Sequence, residues 1–170
     1  MAGRGFSHEK NEVTASDDAR NEWYTPKYIF DAIGLEFDLD PCSPGEGKTF
    51  VPAKKHYTVV DDGLTSPWNG TVFVNPPYGK DTATWIEKLA NYGDGIGLVF
   101  ARTDVKWFQD HGAKADVVCF IKSRVRFYQG GITEDKQGGT PGAGSMLLAF
   151  GEKSAKALLE SGLGTCFKRA

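Results

Sequence analysis

The run Asn75-Pro76-Pro77-Tyr78 joins an amide, two conformationally fixed residues and an aromatic ring, directly after the apolar stretch TVFV at 71–74. Two consecutive prolines fix φ, remove two backbone donors and hold Asn75 toward an extended conformation. What remains is a stiff rim of acceptors, the Asn75 side-chain oxygen and the Pro76 carbonyl, with the Tyr78 ring beside them. Such a rim suits a planar heterocycle with an exocyclic amine, whose N–H groups donate to the two oxygens while its face stacks on the tyrosine. The amine lone pair is otherwise delocalised into the ring. Acceptors out of the ring plane favour a tetrahedral nitrogen and release that lone pair for attack, a gain realised mainly in the transition state. Asparagine is no base near neutral pH, so the surplus proton leaves after the new bond has formed. Asn75, Pro76, Pro77 and Tyr78 are therefore the catalytic candidates, as a positioning device without a covalent enzyme intermediate.

A rim of this kind has to stand where a fold presents ligands, which in open α/β sheets is beyond the carboxyl ends of the strands. The neighbouring sequence supplies such a sheet. TVFV is a β-branched and aromatic run suited to a strand buried on both faces. A helix is predicted over 82–92, with Trp85, Ile86, Leu89 and Ala90 at helical spacing, then a strand at 96–101, a helix at 105–111 and a strand at 115–121. Upstream, Thr25 and Pro26 read as an N-cap and first helical position ahead of an apolar face ended by Gly34, and 37–39 is a strand candidate that ends at Asp40-Pro41. The stretch 42–56, rich in Pro, Gly and Lys, is expected to be a loop, with a strand at 57–60. The glycine-rich stretch 130–144 reads as a loop before a strand at 146–150 and a C-terminal helix at 154–159. Strands alternating with helices imply an α/β fold with a mainly parallel central sheet flanked by helices.

Composition bounds the rest. A chain of 170 residues, 40% hydrophobic and 25% charged, supports one folded domain, placed at 22–170 behind a polar arm at 1–21. No apolar run reaches the roughly 18–20 residues of a membrane span and the N-terminus lacks the apolar core of a secretion signal, so a cytoplasmic protein is expected. The net charge of -2 does not advertise nucleic-acid binding through bulk basicity. Cys42, Cys119 and Cys166 form no C-x-x-C pair, so unbridged thiols are expected; His8, His56 and His111 are scattered, and no metal is assigned.

The segments EWYTPKYIFDAI, DLDPCS, DDGLTSPWNGTVFVNPPYG with TWIEK, FARTDVKWF and IKSRVRFY, in this order, resemble the phage DNA N6-adenine methyltransferase (Dam) family, within the amino-methylating methyltransferases. The resemblance implies a compact Rossmann-like class I methyltransferase fold without a separate target-recognition domain, S-adenosylmethionine as methyl donor and adenine N6 in DNA as acceptor. It also implies that Tyr24, Thr25, Pro26, Asp40, Pro41 and Cys42 belong to the donor pocket together with Asn75. A carboxylate at a strand end suits the donor's ammonium, although the glycine-rich loop common in such folds is replaced after Asp40 by PCSPGEG. Asp61 and Asp62 are the next acids available for the donor's ribose or adenine, and the sequence does not choose between them. Arg102, Thr103 and Asp104 close a strand on the ligand edge. Arg124 and Arg126 alternate with Val125 and Phe127, which puts both arginines on one face of an extended segment, for phosphate or simply for solvent.

An adenine amine inside a duplex is reached only by extruding the base, at a cost of a few kcal/mol, with Tyr78 and its rim as the receiving pocket. With no recognition domain, selectivity is expected to be short or lax, or to depend on a homodimer. Cytosine N4, RNA bases and protein amides fit the same rim. A non-catalytic nucleic-acid-binding or anti-restriction module is the reading from another class.

Overall fold

Val72, Phe73 and Val74 are fully buried, as a strand covered on both faces requires. A computed structural model of the protein describes residues 23–133, 137–139 and 141–170; the arm expected at 1–21 lies outside them. The described strands are β1 (Trp23–Tyr24), β2 (Phe37–Asp40), β3 (Ala53–His56), β4 (Val72–Val74), β5 (Gly95–Phe100), β6 (Val117–Ile121), β7 (Phe127–Gln129), β8 (Gln137–Gly139), β9 (Ser145–Phe150) and β10 (Gly164–Lys168). The helices are α1 (Lys27–Ile33), α2 (Thr82–Tyr92), α3 (Lys106–Asp110) and α4 (Glu152–Glu160).

Seven strands form the central sheet in the order β10-β6-β9-β5-β4-β2-β3, and β1, β7 and β8 form a small second sheet. Alternation across the pleat divides the core into two layers. Phe73, Ile96, Leu98 and Leu147 meet Ile29, Phe30 and Ile33 of α1 and Leu158 of α4 on one face. Val72, Val74, Val99 and Leu148 meet Trp85, Ile86 and Leu89 of α2 and the aromatic pair Trp107 and Phe108 around α3 on the other. Four helices thus flank one sheet in an α/β sandwich, and the predicted helices and buried strands fall within two residues of their observed ends.

The sheet is mixed, which amends the expectation of a mainly parallel one. β2 pairs in parallel with β3 and β4, and β4 with β5, whereas β9 runs antiparallel to both β5 and β6 and β10 antiparallel to β6. Parallel neighbours require a crossover, usually a helix. The path from β6 to β9 instead passes through β7 and β8, so β9 enters reversed.

Three local readings are corrected. The strand expected at 57–60 is a turn, and the strand itself lies four residues earlier as β3, inside the stretch read as a loop. Its sequence AKKH is polar because it is an edge strand with Lys54 and Lys55 turned to water, a pattern that propensity does not detect. The 130–144 stretch contributes β8, paired to β7; residues 134–136 and 140, including Lys136, lie outside the described residues. Thr25 does not cap α1: Pro26 is the N-cap residue, and the Thr25 hydroxyl is engaged elsewhere.

Candidate active site

The carboxyl ends of β2 and β4 open into one cleft of about 590 Å³. Asn75 follows β4 directly, and its amide is held from the second sheet: Nδ2 donates to the Trp23 carbonyl at 2.6 Å and to Thr25 Oγ1 at 3.3 Å. Thr25 is almost wholly buried. Because both amide hydrogens are spent on these partners, Oδ1 is the atom that Asn75 has left to offer, and among the described residues only a long 3.5 Å contact from the Tyr78 hydroxyl approaches it. Pro76 lines the same cleft, and its carbonyl meets no protein donor among the described residues.

Tyr78 is fixed as a plate. Its ring stacks on Phe100, at the end of β5, with centroids 3.9 Å apart and planes 12° apart, so one face is covered and the opposite face is what it presents. Burial raises the pKa of its hydroxyl, which keeps it neutral. The turn beneath is tied to α2 by Thr82, whose hydroxyl donates to the Pro77 carbonyl at 2.8 Å and accepts from Gly79 N–H at 3.2 Å. The stiffness inferred from two prolines is therefore completed by a hydroxyl bridge.

Asp40 ends β2 and is 3% exposed. One carboxylate oxygen accepts Cys42 N–H at 3.1 Å, and the other lies 3.7 Å from Nδ1 of His56, its register partner across the parallel β2–β3 pair. Ser43 Oγ reaches the same Nδ1 at 2.9 Å and accepts Gly45 N–H at 3.1 Å. The Asp40 carboxylate beside it raises the His56 pKa against the opposing effect of burial. Burial raises the Asp40 carboxyl in turn, while His56 and the Cys42 N–H oppose it. The PCSPGEG segment thus organises itself around its own side chains, and Pro41, Cys42 and Ser43 form the cleft floor. His56, set aside in the sequence as scattered, is the partner of the buried carboxylate; its signal is a strand register, which spacing does not reveal.

The opposite wall is the segment between β3 and β4. Asp61 is consumed locally, accepting from Thr58 N–H at 2.8 Å and from the Thr58 hydroxyl, and it does not line the cleft. Asp62 does line it, in a left-handed conformation with φ of 51°, its carboxylate accepting Leu64 N–H at 3.2 Å. Gly63 packs so closely that a Cβ there would stand 1.9 Å from the Pro41 carbonyl oxygen. Lys88 of α2 donates to the carbonyls of Gly63, Leu64 and Ser66 at 2.9, 3.0 and 2.7 Å and lies over the Trp68 ring, so an ammonium clamps the wall. Burial lowers its pKa. Trp68 stacks on Trp85, which reaches the cleft.

The cleft brings together Tyr24, Thr25, Asp40, Pro41, Cys42 and Asp62 with all four residues of the rim. Pro26 stands just behind it as the cap residue of α1. Arg102 is exposed and lines a second cavity of about 350 Å³ on the other side of Tyr78, with Phe100 and Trp107. Asp104 is exposed and lines neither cavity. Arg124 and Arg126 are exposed while Val125 and Phe127 are buried, as their alternation implied; Arg124 donates to the Pro141 carbonyl at 3.2 Å. They precede β7, which is the middle strand of its small sheet rather than an edge.

A family model described as DNA N-6-adenine-methyltransferase (Dam) matches residues 12–161. No curated protein and no solved structure matches the chain.

Proposed function

The chain belongs to the DNA N-6-adenine-methyltransferase (Dam) family, and from that premise we propose that the cleft under the Asn75 rim is where its reaction takes place. It is an adenine-specific DNA methyltransferase that uses S-adenosylmethionine, on a fold of the Rossmann-like class I kind. We read residues 22–170 as one catalytic domain and 1–21 as an arm ahead of it.

The residues present fit that donor. A cavity of about 590 Å³ falls within the roughly 300–1,000 Å³ of small-molecule sites. Its lining combines the aromatic residues Tyr24 and Trp85 with the acidic Asp62. S-adenosylmethionine supplies an electrophilic methyl group on a sulfonium. Tyr24 and Thr25 form one wall for it, with Pro26 behind them; Asp40, Pro41 and Cys42 form the floor. Asp40, buried and balanced by His56, shapes that floor instead of standing open to an ammonium, and Asp62 rather than Asp61 is the acid for the donor's hydroxyls or adenine.

The observation that carries the assignment is the locked amide of Asn75. With Nδ2 spent on Trp23 and Thr25, Asn75 meets an amine as an acceptor, alongside the Pro76 carbonyl. Both oxygens take the two N–H groups of an extruded adenine, and the uncovered face of Tyr78 stacks on its ring. The oxygens hold the amine nitrogen in the pyramidal form that attacks, and no side chain need take its proton before the bond forms. Arg102, Asp104, Arg124 and Arg126 face the nucleic acid, the arginines through its phosphates. We read its selectivity as short or lax, or as dependent on a homodimer. Among the described residues no helix is long and apolar enough to cross a membrane, and we place the reaction in the cytoplasm.

Incubation with methyl-labelled S-adenosylmethionine and duplex DNA, followed by nucleoside mass spectrometry, tests the reading. Label in N6-methyldeoxyadenosine is expected. Label confined to N4-methyldeoxycytidine, or none in DNA, refutes it.

A further inference from the structure

The thiols of Cys119 and Cys166 face each other across the edge of the sheet, and we propose that they form a modification site at which a hydroperoxide closes a cross-strand disulfide. The two residues are register partners in the antiparallel β6–β10 pair. Beyond either end of that pair, Lys122 N–H donates to the Leu163 carbonyl and Arg169 N–H to the Asp116 carbonyl, each at 2.9 Å. Hydrogen-bonded and non-hydrogen-bonded pairs alternate along an antiparallel ladder, so these two bonds fix the phase. Counting inward from both, the 119/166 pair falls on a non-hydrogen-bonded position. There Cα atoms stand about 4.5 Å apart and side chains come closest. Disulfides span Cα separations of about 4.4–6.8 Å, so the strands need not part.

Side-chain placement agrees. Cys119 is fully buried in the core layer that also holds Leu158, and Cys166 packs against that layer while remaining half-buried. Its Sγ is 3.5 Å from the Leu158 carbonyl, which turns it toward the core and toward Cys119. Burial, reinforced by Cys166 beside it, pushes the Cys119 thiol up to about 12. The difference in burial orders the chemistry. Cys166, the more accessible thiol, attacks the peroxide oxygen, becoming a sulfenic acid as the O–O bond breaks and one water or alcohol departs. Cys119 sulfur then attacks the Cys166 sulfur, the S–O bond breaks, the hydroxyl leaves as water with the Cys119 proton, and the S–S bond forms. Two electrons pass to the peroxide.

None of the three cysteines is bridged in the structure. Cys42, the third, lies in the cleft at the other side of the sheet. The family match ends at residue 161, so β10 and Cys166 lie beyond it. The bond would staple that outer strand to the family fold. This inference does not rest on the assignment of the cleft.

The test treats the folded, full-length protein with hydrogen peroxide, blocks remaining thiols with iodoacetamide and maps peptides without reduction. A peptide joining Cys119 to Cys166, lighter by two hydrogens than its parts, is expected, and Cys166→Ala abolishes it. The thermal midpoint should rise by roughly 5–10 °C on oxidation and return on adding dithiothreitol. Recovery of both cysteines alkylated, of Cys166 as sulfinic acid without a link, or of a link between two chains overturns the proposal.

Discussion

Asn75 is an acceptor toward the cleft because two other oxygens, on Trp23 and Thr25, hold its hydrogens. Asn75→Ala removes the acceptor and should lower turnover by at least about 100-fold, the scale of losing one preorganised transition-state partner. Donor affinity, read by calorimetry, should stay within a few-fold. Turnover equal to that of the parent protein would strip Asn75 of its role. Thr25→Val, which keeps the shape and deletes the hydroxyl, should lower kcat by about tenfold, an order-of-magnitude figure for one lost hydrogen bond, and leave KM for DNA nearly unchanged. The Asp40–His56 pair has a pH signature. His56 has its pKa raised above the usual imidazole value of about 6.5. Stabilisation from a group raised in the folded state is complete below the unfolded value and fades as pH climbs through the folded one. Melting temperature should therefore fall as pH rises above about 6.5, and less steeply in His56→Gln. Parallel slopes in both proteins would exclude the pair as the cause.

At the scale of elements, the site exists because β2 and β4 end side by side while the segment between β3 and β4 folds back over the floor. Its closest approach is Gly63 against Pro41, where a methyl group would overlap a backbone oxygen. Gly63→Ala must push that wall outward. It should weaken donor binding by about tenfold or more, an order of magnitude for about 1.4 kcal/mol of lost contact, with a lower thermal midpoint. An unchanged affinity would mean that the wall does not touch the donor. Lys88 serves the same wall from α2: its ammonium donates to the carbonyls of Gly63, Leu64 and Ser66, the first of which also accepts the Trp68 Nε1–H at 2.8 Å. β5 contributes Phe100, the backing for the Tyr78 plate. Elements on both sides of β4 thus fix a four-residue motif that local stiffness alone would leave adrift.

For the molecule as a whole, a net charge of -2, from 20 Lys and Arg against 22 Asp and Glu, makes DNA attraction a matter of where the cations are placed. If Arg124 and Arg126 meet phosphates, replacing both by Ala should flatten the plot of log affinity against log salt by about 1–2, while donor binding is unchanged; an unaltered slope would assign both arginines to solvent. Much of this protein was written locally. Proline geometry made the rim at 75–78 stiff, helical spacing marked 82–92, and a continuous apolar run marked β4, because each of these is a property of adjacent residues. The ordered motifs also carried the family. Long-range pairing is a different matter. β3 is polar and took its identity from lying beside β2, and that same register set His56 against Asp40. That Asp62 lines the cleft while Asp61 turns to the Thr58 N–H, and that Asn75 points its amide hydrogens at a carbonyl 52 residues away in sequence, are both products of the folded chain. The sequence by itself determined which side chains had the chemistry. Only the tertiary structure decided which of their atoms were left unspent, because a hydrogen bond satisfied by a distant partner leaves no trace in the residues beside it.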